Sequence, residues 1–199
     1  MKAVILAGGK GTRLAPYTYV LPKPLMPVGD RAILEILLRQ ISRAGIHKVT
    51  LTVGYLASLM QAFFQDGKQL GLSIDYCYED HPLGTAGPLA FVKDLQTTFL
   101  VSNGDVLTLL DLADFLRFHQ EQGGICTIAM HKRQQKVNLG VIEQNDGDHR
   151  VTGYIEKPTL DYKVSMGIYC FEPRVLQYIP QGEYLDFPNL VHKLLDAGE

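Results

Sequence analysis

The chain has 199 residues, 46% of them hydrophobic and 20% charged, with a formal net charge of −2 at pH 7. That is enough apolar material for the core of one soluble globular domain. The small net charge excludes a general affinity for nucleic acid or anionic membranes, so any basic site must be local. The apolar run after Lys2 leads directly into glycines and is too short for a signal peptide or a membrane span, so a cytoplasmic location is expected.

Strand-like apolar runs recur at 2–7, 48–54, 73–79 and 97–102, with helical patterns between them. In 32–45, residues Ile33, Leu34, Leu37, Leu38 and Ile41 form one face and Gly45 supplies a stop. Leu59, Met60, Phe63 and Phe64 repeat that spacing in a second helix over 57–70, ending at Gly71, with the Met and Phe side chains assigned to the core. A third helix is expected after Gly84 and a fourth over 111–122, before Gly123 and Gly124. Strand and helix in alternation with short connections predict a Rossmann-like three-layer α/β/α sandwich with a mixed, mainly parallel sheet.

From Ile125 the pattern changes to strands in quick succession, 125–131, 139–144, 150–156 and 164–171, which suits an antiparallel or mixed extension. Helices at 173–179 and 187–197 follow, with Asp186 a cap for the second. No repeat or long linker divides 1–199, so a single domain is expected. Cys77, Cys126 and Cys170 are odd in number and widely spaced in apolar runs, as buried free thiols would be. The histidines form no His-x-x-x-His pair and lie beside no nucleophile motif.

The most informative stretch is 7–27. Gly8, Gly9 and Gly11 follow a predicted strand, where glycines permit positive φ and close approach to a ligand, and successive N–H groups can form an anion-binding concavity. Arg13 can grip phosphate oxygens in a bidentate manner, Lys23 adds a point charge, and Pro22, Pro24 and Pro27 stiffen its arm. The segment is not an ATPase loop, for it lacks Gly-x-x-x-x-Gly-Lys-Ser/Thr. Nor is it a dinucleotide fingerprint, since Leu14 stands where a third glycine belongs and Asp30 lies in a turn. A nucleoside triphosphate is the ligand that fits.

The chain resembles the sugar-phosphate nucleotidyltransferases, the nucleoside-diphosphate-sugar pyrophosphorylases. The resemblance rests on Gly8-Gly9-Lys10-Gly11-Thr12-Arg13-Leu14, Pro22-Lys23-Pro24-Leu25, Pro82-Leu83-Gly84-Thr85-Ala86-Gly87, Asn103-Gly104-Asp105, Glu156-Lys157-Pro158 and Gly167-Ile168-Tyr169, in the family's order. It implies nucleotidyl transfer from a nucleoside triphosphate to a sugar 1-phosphate, with Arg13 and Lys23 catalytic. It further implies nucleotide contacts from Leu6, Ala7, Gly8, Gly9, Gly11, Thr12, Glu79, Gly84 and Thr85, and Mg²⁺ on Asp105. Gly140, Glu156, Lys157 and Ser165 would meet the sugar phosphate.

Glu79 stands where the family reads the base. An ionised carboxylate only accepts hydrogen bonds, which suits guanine N1–H and its amine, or the imide N–H of uracil or thymine. Glu-Asp-His-Pro-Leu-Gly-Thr-Ala-Gly at 79–87 is similar to the branch acting on mannose 1-phosphate with GTP. Thymidylyl or uridylyl transfer to glucose 1-phosphate, or a catalytically weak sugar-nucleotide-binding subunit, are the alternatives. Ser165-Met166 replaces the family's Asn-Ala before Gly-Ile-Tyr, which affects the sugar contact. The family continues into a Trp-x-Asp-x-Gly strand bearing a second metal carboxylate, and this sequence has no tryptophan. Low activity of 1–199 is therefore expected, unless Asp161 or Asp186 completes the site. A homo-oligomer is compatible with the sequence.

Overall fold

The computed structural model describes residues 1–199. In chain order the elements are β1 (Lys2–Leu6), β2 (Pro27–Val28), β3 (Arg31–Ala32), α1 (Ile33–Arg43), β4 (Lys48–Val53), α2 (Ala57–Phe64), β5 (Ser73–Tyr78), β6 (Phe99–Asn103), α3 (Leu112–Gln122), β7 (Cys126–Lys136), β8 (Val141–Gln144), β9 (Val151–Ile155), β10 (Thr159–Phe171) and α4 (Phe187–Asp196). Two compact units result: Met1–Ile128 together with Gly167–Glu199, and Ala129–Met166.

The main sheet has the order β5-β4-β1-β6-β10-β7. β1 runs parallel to both β4 and β6, with Val4 opposite Thr50 and Val101, and β4 runs parallel to β5. The end of β10 returns antiparallel along β6, from Ile168 opposite Ser102 to Phe171 opposite Phe99. The sheet is therefore mixed and mainly parallel, the α/β architecture expected.

Both faces of the sheet are covered. Val4, Phe99, Val101, Tyr169 and Phe171 join a core cluster with Ala86, Leu89, Leu190 and Leu194. The residues that alternate with them, Ala3, Ile5, Leu100, Ile168 and Cys170, are fully buried as well. Successive strand side chains point to opposite faces, so such continuous burial requires a layer on each side. Tyr169 stacks on Phe187 at 4.3 Å between ring centroids, which ties α4 to the sheet.

α1 buries Leu34, Leu37, Leu38 and Ile41, and an Arg39–Glu35 pair at 2.8 Å spans one turn of its outer face. It stops where Gly45 takes φ 82°. The second helix is shorter than expected. α2 ends at Phe64 because Gln65 and Gly67 take positive φ, and the Asp66 carbonyl turns away to accept from Ile74 N at 3.0 Å. Lys68–Leu70 is a separate 3-10 turn, closed by Gly71. Met60 and Phe64 are buried, but Leu59 and Phe63 face outward, Phe63 with 45% of its surface exposed.

The third expected helix is only a 3-10 segment, Gly87–Phe91, and the N–H groups of Ala86 and Gly87 at its start donate to Leu185 O. Pro173–Tyr178 is also 3-10. α3 matches expectation. Asp111 caps it, accepting from Ala113 N at 2.9 Å and Asp114 N at 3.1 Å, and Gly123 ends it at φ 66°.

His119 of α3 is buried, but as a structural residue. Its Nδ1 lies 2.7 Å from the Thr127 hydroxyl and its Nε2 3.1 Å from Glu172 Oε1, which also accepts from the Thr98 hydroxyl at 2.6 Å. The cysteines are free, with Cys170 buried and Cys77 and Cys126 half-buried. Burial pushes the Cys126 and Cys170 thiols up to about 12, which makes both poor nucleophiles near neutral pH. No helix is long and apolar enough to cross a membrane.

The second unit contains the antiparallel pair β8–β9, with Val141 opposite Ile155, Ile142 opposite Tyr154 and an irregularity between Glu143 and Gln144. Val137 N donates to Pro158 O at 2.9 Å, and the Tyr162 hydroxyl donates to Gln135 at 3.0 Å.

Because Asp111 satisfies two otherwise unpaired N–H groups of α3, Asp111→Ala should cost about 1 kcal/mol of stability. Urea denaturation checks this, and a midpoint equal to that of the parent chain would contradict the capping role.

Candidate functional site

β1, β4, β5 and β6 are parallel, so their carboxyl ends share one edge of the sheet. Residues that follow each of them, Ala7 to Gly11, Gly54, Glu79 and Asp105, line a single cleft of about 610 Å³. Clefts beyond the carboxyl ends of parallel strands are the usual ligand position in open α/β sheets.

The glycines of the loop have separate reasons to be glycine. Only Gly11 takes positive φ, 62°, and its carbonyl accepts from Leu14 N and the buried Thr18 hydroxyl. Gly8 is needed for room, since a Cβ there would lie 2.6 Å from Glu79 Oε1. Gly9 has open space around it and negative or extended φ, so the expected common requirement for positive φ does not hold for Gly8 and Gly9. Arg13 lines the cleft from the turn Thr12–Leu14, whereas Thr12 does not line it.

Lys23 stands on a 3-10 turn whose Pro24 and Leu25 are buried, which anchors the arm. Its Nζ contacts Asp105 Oδ2. An ammonium has three donors and a carboxylate two oxygens, so this pair leaves N–H groups for a phosphate and Asp105 Oδ1 for a further partner. Asp105 is carried to this position by Gly104, whose N–H donates to Leu6 O at 2.9 Å. No cluster of three potential metal-ligating side chains is present.

Glu79 follows β5, its N–H donating to Val53 O at 2.9 Å. Burial raises its carboxyl above the ordinary range, opposed mainly by a hydrogen bond from the Leu83 backbone. The 84–87 turn that follows is docked on a segment about a hundred residues away in sequence. Ala86 N and Gly87 N donate to Leu185 O at 2.8 and 3.0 Å, and Leu185 N donates to Leu83 O at 2.9 Å. Thr85 donates to Asp186 Oδ1 through its N–H at 2.9 Å and its hydroxyl at 3.0 Å, and Tyr184 OH donates to Asp186 Oδ2 at 2.7 Å. Burial would raise the Asp186 carboxyl, but these hydrogen bonds together hold it below its usual value, and the same contact raises the Tyr184 phenol.

Asp186 stands at the start of α4 without a side-chain capping bond, because its carboxylate is committed to Thr85 and Tyr184. The cleft thus gathers Leu6, Ala7, Gly8, Gly9, Gly11, Arg13, Lys23, Glu79, Gly84, Thr85 and Asp105 of the predicted residues, and adds Tyr55, His81, Asn103, Tyr184 and Asp186. Tyr55 and Asn103 were signalled by their place at strand ends; Tyr184 had no local signal.

Gly140, Glu156, Lys157 and Ser165 belong to the second unit. There Lys157 Nζ pairs with Glu156 Oε1 at 3.4 Å, both side chains more than half exposed, and the Tyr154 hydroxyl donates to Glu156 Oε2 at 3.2 Å. A Cβ on Gly140 would meet the Tyr154 ring, so a side chain there requires that exposed ring to move.

The fold and cleft define an α/β protein with a charged ligand cleft built on a glycine loop. Residues 2–198 match the family described as nucleotidyl transferase. The chain belongs to this family, the sugar-phosphate nucleotidyltransferases. It is 41% identical to mannose-1-phosphate guanylyltransferase of Mycobacterium tuberculosis over 98% of this chain and 55% of that protein. It is 35% identical to UTP–glucose-1-phosphate uridylyltransferase of Synechocystis sp. over 100% of this chain and 56% of that protein. The chain therefore spans about half the length of these relatives. A Bacillus anthracis protein solved with sucrose, provisionally named a glucose-1-phosphate thymidylyltransferase, shares the fold with a TM-score of 0.74 at 24% identity, over 100% of this chain and 84% of that one.

Gly84 has φ 78°, and a Cβ on it would lie 2.5 Å from Leu185 O. Gly84→Ala should therefore lower stability by about 1–3 kcal/mol. A thermal or urea midpoint that does not move would show that the docked turn is not held as described.

Proposed function

We propose that the chain transfers a nucleoside monophosphate from a nucleoside triphosphate to a sugar 1-phosphate, releasing pyrophosphate and forming a nucleoside-diphosphate sugar. The observation that carries this reading is the convergence of the glycine loop, Arg13, the Lys23–Asp105 pair and Glu79 on one cleft at the carboxyl edge of the sheet. GTP and mannose 1-phosphate are the preferred pair, because the relative at 41% identity is a guanylyltransferase while that at 35% is a uridylyltransferase.

In this reading a sugar 1-phosphate oxygen attacks the α-phosphorus in line as pyrophosphate leaves. A phosphate oxygen is already ionised near neutral pH, its second pKa being about 6, so no general base is required. Arg13 and Lys23 act by position and charge, holding phosphate oxygens where negative charge develops. The donor set suits a divalent cation bound chiefly through ligand phosphates and water, with Asp105 as the protein carboxylate. When bound, Mg²⁺ would neutralise phosphate charge. Lys157, Glu156, Gly140 and Ser165 are assigned to the sugar phosphate on the family resemblance.

The experiment is pyrophosphate release from a panel of four nucleoside triphosphates against several sugar 1-phosphates, with and without Mg²⁺. The highest rate is expected for GTP with mannose 1-phosphate; no release from any pair would reject the transferase reading and leave nucleotide binding alone, as in a regulatory subunit. Arg13→Ala and Lys23→Ala should each lower turnover on the order of a hundredfold while thermal stability is kept, and near-parent turnover in either would remove that residue from the chemistry.

Glu79→Gln should weaken GTP more than UTP or dTTP, because a carboxylate accepting from two guanine donors loses one acceptor. A mismatch of that kind is worth roughly 1–3 kcal/mol. Competition binding reads the ranking, and equal weakening of all three nucleotides would overturn the base-reading role.

A further inference from the structure

Tyr184 is 62% exposed yet lines the cleft, and no feature of the local sequence marks it. Its position is set by its neighbours: Leu185 is tied by both backbone groups to the 83–87 turn, and Asp186 holds the phenol hydroxyl. Resting on the nucleotide reading above, we infer that Tyr184 is a nucleobase-contact residue and that Asp186 is the positioning residue that orients it.

The argument is one of donors and acceptors. Thr85 has one hydroxyl proton and one N–H, and both go to Asp186 Oδ1, while its hydroxyl oxygen accepts from Phe187 N at 2.8 Å. Thr85 therefore has no proton to offer a ligand, and its contribution is to brace the wall. Ala86 and Gly87 have likewise given their N–H groups to Leu185. The phenol of Tyr184 donates its single proton to Asp186 Oδ2 at 2.7 Å, which leaves its oxygen able only to accept.

What Tyr184 adds to this wall is an aromatic ring and an acceptor oxygen. An anionic phosphate gains nothing from either. A planar base does, through stacking on the ring and through its N–H or amine donors to the oxygen. The wall is bonded to the turn at 83–87, a few residues beyond Glu79 and β5, rather than to the arm bearing Lys23. Glu79 and Tyr184 are then two acceptor groups for one base.

The test is calorimetric titration of the 199-residue chain with GTP, UTP, inorganic tripolyphosphate and mannose 1-phosphate, using the parent, Tyr184→Phe and Tyr184→Ala. Tyr184→Ala should weaken both nucleotides about tenfold, the scale of one lost base–aromatic stack, with tripolyphosphate unchanged. Tyr184→Phe should keep most of the UTP affinity and lose part of the GTP affinity, because the ring remains and the acceptor does not. Melting curves matching the parent show that the fold is kept; Tyr184→Leu, which preserves bulk, replaces Tyr184→Ala if they do not match. Unchanged nucleotide affinity in the alanine or leucine variant, or an equal loss for tripolyphosphate, overturns the inference. A loss confined to mannose 1-phosphate overturns it in favour of a sugar contact. A parent chain that binds no nucleotide better than tripolyphosphate rejects the nucleotide reading itself, and this inference with it.

Discussion

The parallel run of β1, β4, β5 and β6 is the constraint on which the cleft depends. Parallel strands must all emerge at one edge, and every connection leaving that edge starts beside the others. Gly8, Gly54, Glu79 and Gly104 are packed there closely enough that a Cβ on any of the three glycines would press on a neighbour. A Cβ on Gly8 would meet Glu79, and one on Gly104 would lie 3.1 Å from Leu6 O. The charged groups inherit their placement from these backbone contacts, so the site is rigid where the sheet is rigid.

One ion pair, Lys23–Asp105, lies within the cleft. Lys23 and Asp105 lie in contact at 35% and 28% exposure, far enough from bulk water for the pair to hold its geometry and near enough to remain accessible. Lys23 is thereby a cation already oriented by a carboxylate. Asp186 plays the same part for neutral groups, spending its charge on three hydrogen bonds that fix Thr85 and Tyr184.

Much of this was legible in the sequence where the signal was local. Alternation and apolar runs found β1, β4 and β5 to within a residue, and the spacing of Leu34, Leu37, Leu38 and Ile41 found α1. Local signals failed where distant backbone groups won. The turn after Gly84, where a helix was expected, is docked on Leu185 and continues only as a 3-10 segment, and α2 stopped early where Asp66 O accepts from Ile74 N. The glycine loop identified the cleft, yet the docking of the Tyr184–Asp186 segment on Leu83 and Thr85 came from contacts over a hundred residues in sequence, which periodicity does not encode. Asp186 was expected to cap α4 and serves Thr85 instead.

The first unit is discontinuous in sequence, being assembled from Met1–Ile128 and Gly167–Glu199. Its core cluster begins at Val4 and includes Tyr169, Phe171, Leu190 and Leu194. During synthesis from the amino terminus, the glycine loop and its strands exist before the second unit has been made, but the face of β1 and β6 that Ala86 and Leu89 share lacks Leu190 and Leu194 until α4 has left the ribosome. The wall formed by Thr85 and Tyr184 is completed at that stage too, since Leu185 and Asp186 directly precede α4. The part of the β6 face left uncovered is then a temporary sticky surface, and the order of translation makes the closing of the core and the completion of the cleft one late event.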